Sequence, residues 1–282
     1  MRLLTAVLCW LLTTLALAVA IPAAWAQHDL VDRQGYSALA TSAAKDPVLQ
    51  QAMAGALADQ LTTLAVNSGY DDVNPNLIAG AARAYTGGNA FPGQFALANQ
   101  VAHDWLFTDT VARTDASGRW EIDLSPMLAD SSFQQTLAGF GIRPPKTLEI
   151  PLTEDVSHSL RPGQLRQVAA WGPWVSVGAA VLAGVFALLT LAAARRRGKA
   201  LVALGVSGLI VGAAGWAAIE VGRRYLARAL DAAATDVRNV AAAMIEHAIG
   251  SAHTWLNLVL AAGGGLVVLG VLATTLGGLR RR

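Results

Sequence analysis

Four groups of residues have the types and spacing that chemistry asks for. His103 and Asp104 are the pair nearest to a general base with an orienting carboxylate. Adjacent residues of a helix point in different directions, however, so the two cannot form a dyad with each other. They read as a surface His and Asp beside a buried Trp105. Asp71, Asp72, Asn74 and Asn76 place oxygen ligands at near-alternate positions, as calcium loops do. The sharp-turn glycine and the distal bidentate Glu are both missing, and turn and helix-cap chemistry accounts for the residues better.

Glu246, His247 and His253 suggest a metal cluster, yet the two histidines are six apart and fall on different sides of a continuous helix. They read as interfacial polar residues. Glu154 and His158 have i,i+4 spacing, with Asp155 between them, in a stretch where no regular helix is expected. No phosphate-binding Gly loop, nucleophile elbow, HExxH or CxxC appears. The expectation is a chain that is not an enzyme and has no catalytic, cofactor-binding or metal residues.

The elements available to position these groups are dominated by apolar runs. Trp171–Ala194 and the run from Ala200 to Ile219 carry no charge, and between them lies Arg195-Arg196-Arg197-Gly198-Lys199. Each run reaches the ~20 apolar residues that a helix needs to cross a ~30 Å hydrocarbon layer. So short a loop makes them a hairpin, and its basic residues place it in the cytoplasm. A further run covers residues 254–279 and ends in Arg280-Arg281-Arg282.

The N-terminal run, residues 1–26, has two readings. Pro22 followed by Ala24-Trp25-Ala26 resembles the cleavage site of a secretory signal, whereas the apolar stretch Leu3–Ile21 exceeds the ~7–15 residues of a signal core. The length favours an uncleaved anchor. Both readings put Gln27 outside the cytoplasm.

Residues 27–170 form the expected extracytoplasmic domain. Asp46-Pro47, Asn74-Pro75 and Pro92 open three helices with cap or first-turn proline signals. Trp120, Ile122 and Leu124 alternate with Glu121 and Asp123 after Asp115-Ala116-Ser117-Gly118, which reads as a β-hairpin. Ser125-Pro126 opens a helical stretch to about Ala138, and a further strand is expected over Thr147–Leu152. The fold class is thus an α-helical membrane protein with four transmembrane helices and a mainly helical α+β domain between the first two. Residues 220–253 read as one or two amphipathic helices on the outer membrane surface, broken near Thr235-Asp236.

Composition agrees with a chain divided between bilayer and water: 54% of the 282 residues are hydrophobic and 14% charged, against about 25% charged in soluble proteins. Residues 27–170 hold nine Lys and Arg against fifteen Asp and Glu, a net of −6. An acidic domain argues against nucleic acid as a partner. Cys9 is the only cysteine, so no intrachain disulfide forms.

Gly205, Gly208, Gly212 and Gly215 repeat at three- and four-residue intervals, and Ala179, Ala180, Ala183 and Gly184 form small-residue pairs in the second span. Such faces let helix backbones approach closely. They predict tight packing among the spans, with a homo-oligomer through Gly208/Gly212 as the alternative. The apolar runs hold no Asp, Glu, Lys, Arg or His in their interiors, and Thr190, Ser207, Asn257 and Thr274 are their most polar candidates. A secondary transporter working alone needs such ionisable groups.

Asp46-Pro47-Val48-Leu49-Gln50, Ala98-Asn99-Gln100-Val101-Ala102-His103 and Asp123-Leu124-Ser125-Pro126-Met127-Leu128, with the order of spans and basic loop, resemble a family of actinobacterial four-span membrane proteins of unknown function. The resemblance implies an uncleaved first span and no particular activity. The functional expectation is a multi-pass plasma-membrane protein acting as a cell-envelope interaction or scaffold module. Its partners would be the lipid bilayer and another envelope or membrane protein. The alternatives are an accessory subunit of a transporter and an extracytoplasmic hydrolase.

Overall fold

The structure, a computed structural model, describes residues 2–67, 74–108, 121–123, 131, 134–135, 149–151, 163–194, 196–231 and 235–279. The chain divides into two compact units. One comprises Met1–Val31, Val168–Tyr225 and Ile249–Arg282, and the other Asp32–Gln167 and Leu226–Ala248.

The first unit is a helical bundle. Helix α1 (Arg2–Ala26) runs without interruption into a π-helical turn, Gln27–Val31. Helix α6 (Arg166–Ala193), α7 (Arg197–Leu230) and α8 (Thr235–Leu279) supply the other rods. Four helices are long and apolar enough to cross a membrane, over Leu4–Val31, Arg166–Ala193, Arg197–Leu230 and Arg238–Leu276. The protein is an α-helical, multi-pass membrane protein by that measure.

Helices α7 and α8 pack through glycine. A Cβ on Gly205 would lie 2.6 Å from the Gly263 carbonyl oxygen, one on Gly263 would lie 2.8 Å from the Gly205 oxygen, and one on Gly270 would lie 2.7 Å from the Gly198 oxygen. Gly212 and Gly215 receive the side chains of Leu260 and Leu256. The small-residue stripe therefore serves close approach of two backbones within one chain. The Gly208/Gly212 face, the expected alternative surface for a second copy, is filled by α8. Helix α1 joins α7 through the Trp10 indole N–H, which donates to the Ala203 carbonyl at 2.8 Å, and through a 2.8 Å bond between the Thr14 and Ser207 hydroxyls. Thr13 and Thr190, both buried, return their hydroxyls to carbonyls four residues back, so both donors are satisfied within their own helices.

The second unit is built on four helices: α2 (Arg33–Ala43), α3 (Pro47–Asn67), α4 (Pro75–Thr86) and α5 (Phe91–Phe107). The predicted starts of α3, α4 and α5 are found. Asp46 accepts from Val48 N–H at 2.7 Å, and Asn74 accepts from Asn76 N–H at 3.0 Å. Helix α2 was not expected. Asp32 caps it by accepting from Gln34 N–H and Gly35 N–H at 3.0 and 2.9 Å.

The core gathers Ala40, Ala43, Ala44, Leu49, Ala81, Tyr85, Phe91, Phe95 and Ala96, and Ala243 of α8 joins them with Val240 and Met244 packed alongside. The compact unit that holds most of the expected segment 27–170 also includes Leu226–Ala248. Val240 and Met244, in the stretch expected as an amphipathic helix on the membrane surface, pack against this core, and their helix runs unbroken from Thr235 to Leu279. Likewise α7 continues past Ile219 to Leu230.

Among the described residues the strands are β1 (Glu121–Asp123) and β2 (Glu149–Pro151), paired antiparallel with Ile122 opposite Ile150. Six residues do not make a sheet layer, so the α+β description of the domain is not supported and the unit is helical. The expected hairpin turn at 115–118 and most of the helix expected over 125–138 lie outside the described residues. Gly163, with φ 68°, turns the chain into α6 while its N–H donates to the Trp105 carbonyl at 2.9 Å. That backbone conformation favours glycine.

Candidate functional site

Helix α5 positions the first of the sequence candidates. His103 is buried, not on the surface: its ring stacks on Phe107 with centroids 4.4 Å apart and leans on Tyr36 at 5.0 Å. Its Nδ1 lies 3.9 Å from Asp104 Oδ1, beyond hydrogen-bond reach, while Asp104 pairs instead with Arg33 of α2 at 3.0 Å. The neighbouring residues follow the same face. Tyr36 donates its hydroxyl to Asn99 Oδ1 at 3.2 Å, and Gln100 Nε2 donates to Ser37 Oγ at 2.7 Å. Burial pushes the Tyr36 phenol pKa up, since the phenolate would lose its hydration. Asn99, Gln100 and His103 thus hold α5 against α2.

The other candidates disperse. Asn74 and the Asn76 backbone form a helix cap, and Asp71 and Asp72 lie outside the described residues, as do Glu154, Asp155 and His158. His253 stacks on Trp216, centroids 3.7 Å apart and planes 8° from parallel. His247 accepts or donates at the Ala243 carbonyl through Nδ1 at 3.3 Å and brings Nε2 to 3.9 Å from Asp46 Oδ2. Among the described residues no group of three His, Cys, Asp or Glu is placed to hold a metal ion.

The structure does bring Asp46 and Glu246 to one place. A cleft of about 580 Å³ is lined by Asp46, Val48, Gln51, Ala52 and Gly55 from the start of α3, and by Asn239, Ala242, Ala243 and Glu246 from α8. Each helix spends one stripe on the core, Leu49, Met53 and Leu57 in α3 and Val240 and Met244 in α8. The adjacent stripe of each is left for the cleft. Val48 is 67% exposed there. The lining combines small apolar residues with two carboxylates and two amides, and His247 lies beside Asp46. Such a surface can hold the side chains of a partner segment, with the polar rim fixing orientation.

Sequence reasoning identified Asp46 only as a cap and missed Gln51, Asn239 and Ala242. The signal was a second i, i+4, i+7 stripe, Val48-Ala52-Gly55, whose small residues carry little hydrophobic weight.

A second polar cluster lies in the bundle, where the π turn extends α1 beyond the expected end at Ala26. Ser251 of α8 donates to Asp29 Oδ1 at 2.9 Å and receives the Trp25 indole N–H at 3.3 Å. His28 Nδ1 lies 3.4 Å from the other Asp29 oxygen, and the His28 ring faces Trp255 at 5.9 Å. Gln27 packs on Gly172 of α6, where a Cβ would overlap its side-chain oxygen. The apolar rods are therefore longer than read from sequence, and a carboxylate belongs to the end of one of them. No protein-family model, curated protein or solved structure matches this chain.

Proposed function

We propose that the protein is a non-enzymatic interaction module of the cell envelope, with its helical domain held outside the cytoplasm by four spans in the plasma membrane. The observation that carries this reading is the α3–α8 cleft, lined by small residues together with polar ones and reaching the domain's core at Ala243. The orientation rests on Arg195, Arg196, Arg197, Lys199 and the C-terminal arginines, which hold one set of span ends inside. Trp25, Trp171, Trp174, Trp216 and Trp255 occur near the opposite ends, as boundary tryptophans do.

The bonds of Trp10, Thr14, Trp25 and Asp29 to α7 and α8 support a retained first span, because cleavage after Ala26 would remove the first three. Membership of the actinobacterial four-span family is part of the same proposal. His103 is packed among rings instead of opening on the cleft, so it lends nothing to the hydrolase alternative.

The test is photo-crosslinking in native membranes from position 48. One envelope or membrane protein should be recovered repeatedly, and its adduct should disappear when Ala52→Trp fills the cleft. Absence of any adduct, or adducts indifferent to that substitution, overturns the proposal. Reporter fusions at 195–199 should read cytoplasmic.

A second reading, an accessory subunit of a transporter, draws on Asp29, since ionisable groups within apolar helices are retained for function more than for stability.

A further inference from the structure

We infer that the occupant of the α3–α8 cleft is a cationic, apolar-sided helical segment of a partner protein. The inference rests on the interaction reading above and adds the chemistry of the ligand.

Charge points to a cation. Among the described residues the rim carboxylates are Asp46 and Glu246, with His247 Nε2 3.9 Å from Asp46 Oδ2, and the remaining polar lining is the uncharged Gln51 and Asn239, with no Lys or Arg. The long-range field has the same sign, because residues 27–170 carry a net of −6. An acidic cleft on an acidic domain attracts cationic segments and repels anionic ones before contact. Asp46 is also set in position. One of its oxygens accepts from the Val48 N–H at 2.7 Å and the other lies 3.9 Å from His247 Nε2, so the carboxylate is held in place before a ligand arrives.

Shape points to a helix. Ala52, Gly55, Ala242 and Ala243 bring no long side chains to the lining, and Val48 at 67% exposure offers an apolar shoulder. A third helix can lay an apolar stripe between two others when their facing residues are small. A partner with Leu or Val at i, i+3/i+4 and i+7, and Lys or Arg at one end of that stripe, meets both conditions.

The experiment uses the full chain in nanodiscs of zwitterionic lipid, so that a basic probe finds no anionic membrane. Cys9 is buried and is the only cysteine, so Val48→Cys takes an environment-sensitive dye selectively. Three fourteen-residue probes are compared: an amphipathic Leu/Lys helix, the same helix with Glu for Lys, and a scrambled Leu/Lys peptide of equal charge. The Leu/Lys helix should saturate the dye response. The Asp46→Asn/Glu246→Gln pair should weaken it by about tenfold, within the range of two partly exposed ion pairs. Asn serves as well as Asp as a helix cap, so α3 keeps its start.

Ala52→Trp should abolish binding, and helical content by circular dichroism should be unchanged in both variants. Equal binding of the Glu probe or of the scrambled peptide, or indifference to the carboxylates, overturns the inference. So does a dye response in the absence of probe that grows with protein concentration, which would make a second copy of the chain the occupant. If crosslinking from position 48 still returns a partner, the interaction reading survives and only the stated chemistry falls.

Discussion

Tyr36 concentrates what single residues do in this domain. Its ring lies against His103 and its hydroxyl holds Asn99, so one side chain closes both the apolar and the polar parts of the α2–α5 contact. Because burial raises its pKa, the folded domain resists forming the phenolate, whereas the unfolded chain ionises near the ordinary value of about 10. The stability linked to Tyr36 is therefore complete below about pH 10 and drains away as pH rises through the elevated folded value. Tyr36→Phe should cost about 0.5–1.5 kcal/mol at pH near 8 through loss of the Asn99 bond. The same variant should flatten the alkaline decline, so that wild type and variant converge near pH 11 in denaturant titrations of the full chain. An unchanged gap between the two at both pH values would contradict this.

At this scale the sequence was a partial guide. Asn99 and Gln100 stood out only in a stretch of resemblance and His103 read as a surface residue; the partners of Asn99 and Gln100 were hidden because Tyr36 and Ser37 lie sixty-three residues earlier in a helix that gives little local signal.

That helix, α2, shows what elements can and cannot disclose. Its buried positions are Leu39, Ala40 and Ala43, and Gly35, Ser37, Thr41 and Ser42 dilute any periodicity. Tertiary packing, more than propensity, makes it a helix. The helices opened by Asp46-Pro47 and Asn74-Pro75 were legible because capping chemistry is local. The limits of α7 and α8 were not, since an apolar span followed by an amphipathic stripe offers no stop signal where one helix simply continues.

The α7–α8 contact gives a prediction of its own. Gly205→Val or Gly263→Val must push two backbones apart and should cost about 1–3 kcal/mol, read as a lowered Tm in detergent. Gly178→Val and Gly264→Val, where an added Cβ meets nothing within 4 Å, should leave Tm unchanged. Equal effects at all four positions would mean that helix propensity alone is being measured. Ser251→Ala removes the shared partner of Asp29 and Trp25 and should loosen α1, detectable as faster hydrogen exchange over residues 22–31.

The whole molecule follows a division that the linear order of segments conceals. A fragment of residues 27–170 leaves Leu49, Met53 and Leu57 without the α8 residues Val240, Ala243 and Met244 that pack near them. It should be less stable by about 3 kcal/mol or more, and linking residues 226–248 back to it should restore cooperative unfolding by circular dichroism. If the fragment alone unfolds as cooperatively as the linked form, the helix is an accessory and not a part of the core.

The same closure by a late segment sets a timetable for biogenesis. The ribosome must add about sixty to eighty residues beyond Gln167 before the missing helix exists. At ~5–20 residues per second, the incomplete domain waits for several seconds. During that interval Leu49, Met53 and Leu57 lack the α8 residues that pack near them, so a chain stalled before residue 226 should be bound by holdases more readily than the completed one in a translation-arrest assay.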